Sequence, residues 1–143
     1  MVPLHHGWGI FLVRVTMGTL FAVHGYEKFA RGIGSLAASF ARAGIPAPTV
    51  VAPLIAGLEL CGGILLILGL ATRLVSLLFA IEMFVTTVFV QIPRKGWDGA
   101  DLDRMLLAVS LLLVLAGPGA LAFRRHSSTF GRLRLVRALM RAA

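Results

Sequence analysis

Four runs of apolar residues, each long enough to cross a lipid bilayer, set what this 143-residue chain can fold into. A helix rises about 1.5 Å per residue, so roughly 20 apolar residues span the hydrocarbon layer of about 30 Å. The runs cover residues 8–26, 50–70, 74–92 and 105–123. Glu27, Lys28 and Arg31 break the first, Ala71-Thr72-Arg73 makes a tight turn after the second, and Pro93-Arg94-Lys95-Gly96-Trp97 ends the third. Composition agrees: 58% of residues are hydrophobic and 14% charged, against about 25% charged in soluble domains. These figures exclude soluble and disordered classes, and short linkers between apolar runs make sequential helices antiparallel neighbours. The sequence therefore predicts an all-α, integral membrane four-helix bundle over residues 1–123, followed by a basic amphipathic tail over 124–143.

The formal charge of +8 does not indicate a nucleic-acid partner, because Arg124, Arg125, Arg132, Arg134, Arg137 and Arg141 crowd the tail. On a helix, Arg134, Arg137 and Arg141 share one face, and Leu133, Val136, Leu139 and Met140 the other. A stretch of that kind lies on anionic lipid head groups. The residues before Trp8 lack the basic segment and small-residue cleavage site of an export signal, so the first run reads as a retained helix. The flanks of the side holding the N-terminus, Arg73 and the tail carry seven Lys or Arg, and the opposite side carries six. The positive-inside tendency then places both termini in the cytoplasm.

Between the first two runs, Ile33, Leu36, Ala37 and Phe40 recur at helical spacing opposite Ser35, Ser39 and Arg42, predicting a short interfacial helix. Gly44-Ile45-Pro46-Ala47-Pro48 stops it. In the second run, Gly57 and Cys61 form a small-xxx-small step suited to close helix packing, with Gly62, Gly63 and Gly69 adding further close-approach surface. A single cysteine excludes a disulfide or an intrachain dithiol pair. The four histidines are scattered without metal-ligand spacing, Asp98, Asp101 and Asp103 do not form a calcium loop, and no metal site is predicted. Asp101 is positioned to cap the fourth helix.

An ionisable group deep in a bilayer costs about 2.5–3.5 kcal/mol on insertion scales, so each one asks for a reason. Three occur: Arg14, Glu59 and Glu82. Glu59 lies nine residues after Val50 and Glu82 ten before Ile92, which puts both about 15 Å from one membrane face. Arg14, twelve residues before Tyr26, lies about 18 Å below that face, within side-chain reach of either acid. One reading is a polar core site in which one carboxylate pairs with Arg14 and the other holds a proton, able to carry protons or to hydrogen-bond a quinone carbonyl. The other is an Arg-Glu pair that fixes helix register, with the second Glu held by a hydroxyl such as Thr16, Thr86 or Thr87. At the end of the first run, His24, Tyr26 and Lys28 form either a proton relay or an interfacial anchor steadied by Glu27 and Arg31 at i, i+4.

His24-Gly25-x-x-Lys28, then Gly44-Ile45-Pro46, Glu59-x-x-Gly62-Gly63 with Gly69, and Gly117-Pro118-Gly119 occur in an order and spacing that resembles the DoxX family of bacterial and archaeal four-helix membrane proteins. The resemblance runs from about residue 10 to 123, with Asp101 or Asp103 standing for an acidic residue usual before the fourth helix. Where an acidic residue commonly follows the Gly-Pro-Gly, this chain has Ala122-Phe123-Arg124. The resemblance implies an inner-membrane protein of a quinone-linked or redox-stress-defence oxidoreductase complex, with quinone as a non-covalent cofactor. A soluble redox enzyme or a second copy of the chain would be its partner. A non-catalytic scaffold that docks a soluble enzyme, and a binder or transporter of a small lipophile, are the alternatives, and whether the chain is itself catalytic stays open.

Overall fold

The computed structural model describes residues 4–120 and 122, and every regular element among them is helical. The elements are α1 (Leu4–Ala30), α2 (Ile33–Arg42), α3 (Pro48–Leu68), α4 (Thr72–Val85), a π-helical segment (Thr86–Gln91), α5 (Ile92–Lys95), a 3-10 turn (Asp98–Ala100) and α6 (Asp101–Ala116). The first apolar run continues as helix through Glu27, Lys28 and Arg31's predecessor Ala30, because charged residues at a membrane surface need not interrupt hydrogen bonding along the axis. The segments from Thr72 to Lys95 form a continuous helical rod, whose middle widens to π geometry one turn before Pro93. The amphipathic tail predicted from residue 124 onward lies outside the described residues.

Among the described residues, three spans are long and apolar enough to cross a bilayer: Gly7–Ala30, Pro48–Leu68 and Thr72–Lys95. The fourth, α6, is 16 residues long and covers about 24 Å at helical rise. It begins earlier than the apolar run and ends at Ala116, where Gly117 takes φ 79° and Pro118 has no N–H to donate. Asp101 does not cap it: Ala100 is the capping residue, no side chain caps the end, and Asp101 pairs with Arg104. Arg104 has turned back over the Trp97 ring, 4.3 Å from its centroid, and holds the carboxylate there.

Helices α1 and α3 make the most extensive contact, α4 and α6 the next, and α3–α4 and α1–α6 contacts close the bundle. The predicted interfacial helix forms as α2 and packs on α3 and α1. Its apolar positions are buried or half-buried, with Ala37 inside. The small-residue packing step differs from the predicted one. Gly57 has nothing near it and Cys61 is exposed, so both face lipid. Contact is made at Gly63, one of the further close-approach glycines expected on this helix, and at Gly18 and Gly25 of α1: a Cβ on Gly63 would fall into the backbone of Ala22 and Gly18, and one on Gly25 into that of Leu60. Glycine spacing alone does not say which face of a helix finds a neighbour. The core between the helices is Met17, Phe21, Leu66, Val75, Phe79, Met83, Leu106 and Leu113, centred on a parallel stack of Phe21 on Phe79 with centroids 3.7 Å apart.

These placements separate two glycines six residues apart. Gly63→Ala forces α1 and α3 apart and costs about 1–3 kcal/mol, whereas Gly57→Ala changes stability by less than about 1 kcal/mol. Thermal unfolding of the two variants in one detergent, followed by loss of monodisperse protein, reads the difference.

Candidate functional site

Side chains on a helix lean toward its N-terminus. Lys28, in the last turn of α1, therefore reaches back into the bundle rather than out to water. Its ammonium is ion-paired with the Glu59 carboxylate at Oε2. The Lys28 side chain is 27% exposed and that of Glu59 3%, so the cation bridges from the surface to a buried acid. Glu82 on α4 is 7% exposed, and its carboxyl group lies within hydrogen-bonding reach of that of Glu59. Asp103, in the first turn of α6, faces the same place and acts electrostatically on Glu82, with Oδ2 buried.

These groups line a cavity of about 920 Å3 at the end of the bundle where α1 ends and α6 begins. Ile55, Leu58, Leu78, Ile81 and Leu106 give it apolar sides, α2 contributes Leu36 and Phe40, and the rod beyond Glu82 contributes Thr86, Val90 and Gln91. Arg31, Arg94 and Lys95 stand around the exposed mouth. Toward the other end of the bundle the core closes: Phe21, Phe79, Leu66 and Leu113 are at most 1% exposed. Clefts of a few hundred to about 1,000 Å3, mostly apolar with a few convergent polar groups, are where small molecules bind. The π-helical segment adjoins Glu82, and such widened turns recur at functional sites. Thr87 within it is buried with Oγ1 lacking a hydrogen-bond partner.

The predicted polar trio is divided. Glu59 and Glu82 come together, as equal depth required, but Arg14 does not join them. Its Nη1 donates to the carbonyl of Pro118, its guanidinium lies 5.4 Å from the Phe11 ring centroid, and Nη1 abuts the space beside Gly69. Helix register is the reason: Gly25 packs on Leu60 and Gly18 on Ile67, so Glu59 stands level with Tyr26, while Arg14 stands beside Gly69, twelve residues or about 18 Å back along α1. The second group is divided as well. His24 and Lys28, one turn apart, both line the cavity, whereas Tyr26, offset by about 200° on the helix, is 65% exposed on the opposite face. Glu27 and Arg31 form the expected i, i+4 pair. Among the hydroxyls offered as partners for a neutral Glu, Thr16 is exposed on the outer surface and Thr86 lines the cavity.

Asp103 is the member that residue-by-residue reading leaves unplaced, since at a helix start it resembles any dipole-compensating acid. Its one signal is its place two residues after Asp101, which turns it about 200° from that exposed neighbour. Among the described residues, no three His, Cys, Asp or Glu side chains cluster closely enough to hold a metal ion.

The DoxX family model matches residues 9–92. The chain is 38% identical over 114 residues to a Bacillus subtilis protein, CatD, whose name describes it as a candidate oxidoreductase; the match covers 80% of this chain and 83% of that one. It is 31% identical to an uncharacterised protein of Haemophilus influenzae, over 77% of this chain and 84% of that one. It is 28% identical to the Escherichia coli inner membrane protein YphA, over 82% and 89%. No solved structure matches.

The lysine contact generates a stability prediction. Lys28→Met strands the buried Glu59 carboxylate and costs about 3–5 kcal/mol, much of which the double change Lys28→Met, Glu59→Gln recovers. Arg31→Met, at an exposed pair, costs less than about 1 kcal/mol. Unfolding free energies from reversible denaturant titration in mixed micelles check both figures.

Proposed function

The chain belongs to the DoxX family, and from that premise we propose that this membrane protein binds a quinone-type ring in the cavity and exchanges protons with it, as part of a redox system of the inner membrane. One observation carries this reading: a buried, adjacent pair of carboxyl groups, with one lysine, forms part of the lining of a cavity whose sides are apolar. Interconversion of a quinone and a quinol moves two electrons and two protons. The ring supplies the electron chemistry, and the electrons pass to or from a soluble redox enzyme docked on the membrane surface. The fit rests on the donor set. Apolar sides accept the ring and its tail, Lys28 offers N–H groups to an oxygen, and Glu59 and Glu82 set two carboxyl groups side by side where a proton can be exchanged. His24, one turn before Lys28 on α1, lines the same cavity and can take part in proton exchange there. The name of the B. subtilis relative supports redox chemistry in the family.

In the same reading both termini are cytoplasmic, the basic tail rests on anionic lipid, and the cavity opens on the opposite membrane face. A phosphatase fused after Ala143 is then inactive, and one inserted at Gly44 active; the reverse pattern inverts the orientation.

The binding reading is tested on native lipid. Protein purified in mild detergent carries quinone or quinol in near-stoichiometric amount, detected by mass spectrometry of the extracted lipids. Ile55→Trp, which fills the cavity, lowers the bound amount at least tenfold, while Leu54→Trp, on the lipid-facing side of the same helix, leaves it unchanged. Equal retention by the parent and both variants overturns the site.

A further inference from the structure

The hydrogen-bonding groups that face the cavity are unequal in kind, and this selects between the two redox forms of the ring. On the floor are three carboxyl groups, Glu59, Glu82 and Asp103, and one cation, Lys28. The Lys28 ammonium is engaged by Glu59 Oε2. The Glu82 carboxyl group lies beside that of Glu59. Two oxygens remain, Glu82 Oε2 and Asp103 Oδ2, both buried and both without a hydrogen-bond donor among the described residues. Glu82 is the more telling of the two, because its side chain is 93% buried (7% exposed) and still lines the cavity. The lining also carries groups that can donate, namely His24, Ser39, Thr86 and Gln91, all half-buried, while Arg31, Arg94 and Lys95 are exposed at the mouth.

Buried acceptors that lack donors are satisfied by a ligand that brings O–H groups. A quinone brings none: its two oxygens are acceptors, like the groups they would face. The corresponding hydroquinone has the same ring, the same apolar body and two O–H donors. Resting on the quinone-type reading above, we infer that the cavity is built for the reduced, dihydroxy form of its ligand, held by hydrogen bonds from ring hydroxyls to Glu82 and Asp103. A site that offers hydrogen-bond partners to a hydroxyl discriminates strongly against the analogue that lacks it. The bound hydroxyls also lie against the groups that would take up their protons, so the site favours proton release from the ring over delivery to it.

The test uses the full chain in lipid nanodiscs under anaerobic conditions, with three probes: tetramethylhydroquinone, tetramethylbenzoquinone and the dimethyl ether of the hydroquinone. Full ring substitution leaves no position open to the exposed Cys61 thiol. Calorimetric titration is expected to give a hydroquinone at least tenfold tighter than the quinone, with the ether no tighter than the quinone. Glu82→Gln exchanges an acceptor oxygen for an N–H donor and is expected to bring the ratio of the two affinities to within about threefold. Asp103→Asn does the same at the second oxygen. Because the readout is a ratio, a general loss of affinity in a weakened variant does not mimic it. A quinone that binds as tightly as the hydroquinone, or an ether that matches the hydroquinone, overturns the preference and leaves the quinone-type site standing. If neither ring binds, both fail together.

Discussion

Backbone contact between α1 and α3 is the constraint on which the rest depends. Where Gly18 and Gly25 meet Gly63 and Leu60, the two helices approach too closely for any intervening side chain. In lipid no hydrophobic force separates a helix from its surroundings, so association relies on close van der Waals packing of this kind. The contact also sets the register in which Lys28 stands over Glu59. A helix pair one side chain further apart would leave the carboxylate buried without its cation. The glycines thus position a charge pair although none of them belongs to it.

The charged groups fall into two layers along α1. Lys28 from the end of α1 and Arg14 from its first half lean the same way along the axis. One enters the acid cluster, and the other ends at the Gly117-Pro118-Gly119 turn. That turn is tied to α1 by a backbone hydrogen bond from Ala120 to Gly7 as well. Arg14 therefore joins the start of α1 to the end of α6 by a carbonyl contact, and its burial belongs to the closure of the bundle.

Much of this was legible from residues alone. Apolar run length gave the three long spans, the spacing of Ile33, Leu36, Ala37 and Phe40 gave α2, and counting from the run ends put Glu59 and Glu82 at one depth. The positions that failed share a physical cause. Counting from the run ends does not give the register of α1 against α3, which sets Arg14 beside Gly69; small size at Gly57 and Cys61 does not say which face meets a neighbour; and the pairing of Asp101 with Arg104 pre-empts a cap. Rotation about a helix axis is set by tertiary contacts in the membrane, because a helix that is apolar all round carries no hydrophobic stripe to orient it. The near-uniform hydrophobicity of α3 leaves Glu59, Gly62 and Gly63 as its few internal guides, and they do point inward.

The stacked rings of Phe21 and Phe79 lie between those two layers, with Leu66 and Leu113 beside them and no polar atom of these side chains to carry a hydrogen bond. A chain of water molecules needs such partners at each step. The bundle has the form of a cup: the cavity that holds the acids opens at the end where α1 stops, and its base is packed hydrocarbon, with the Ser110 hydroxyl turned back to the Leu106 carbonyl. Under the proposed reading, protons exchanged at the acids would enter and leave by the open side, and turnover would leave the gradient across the membrane intact.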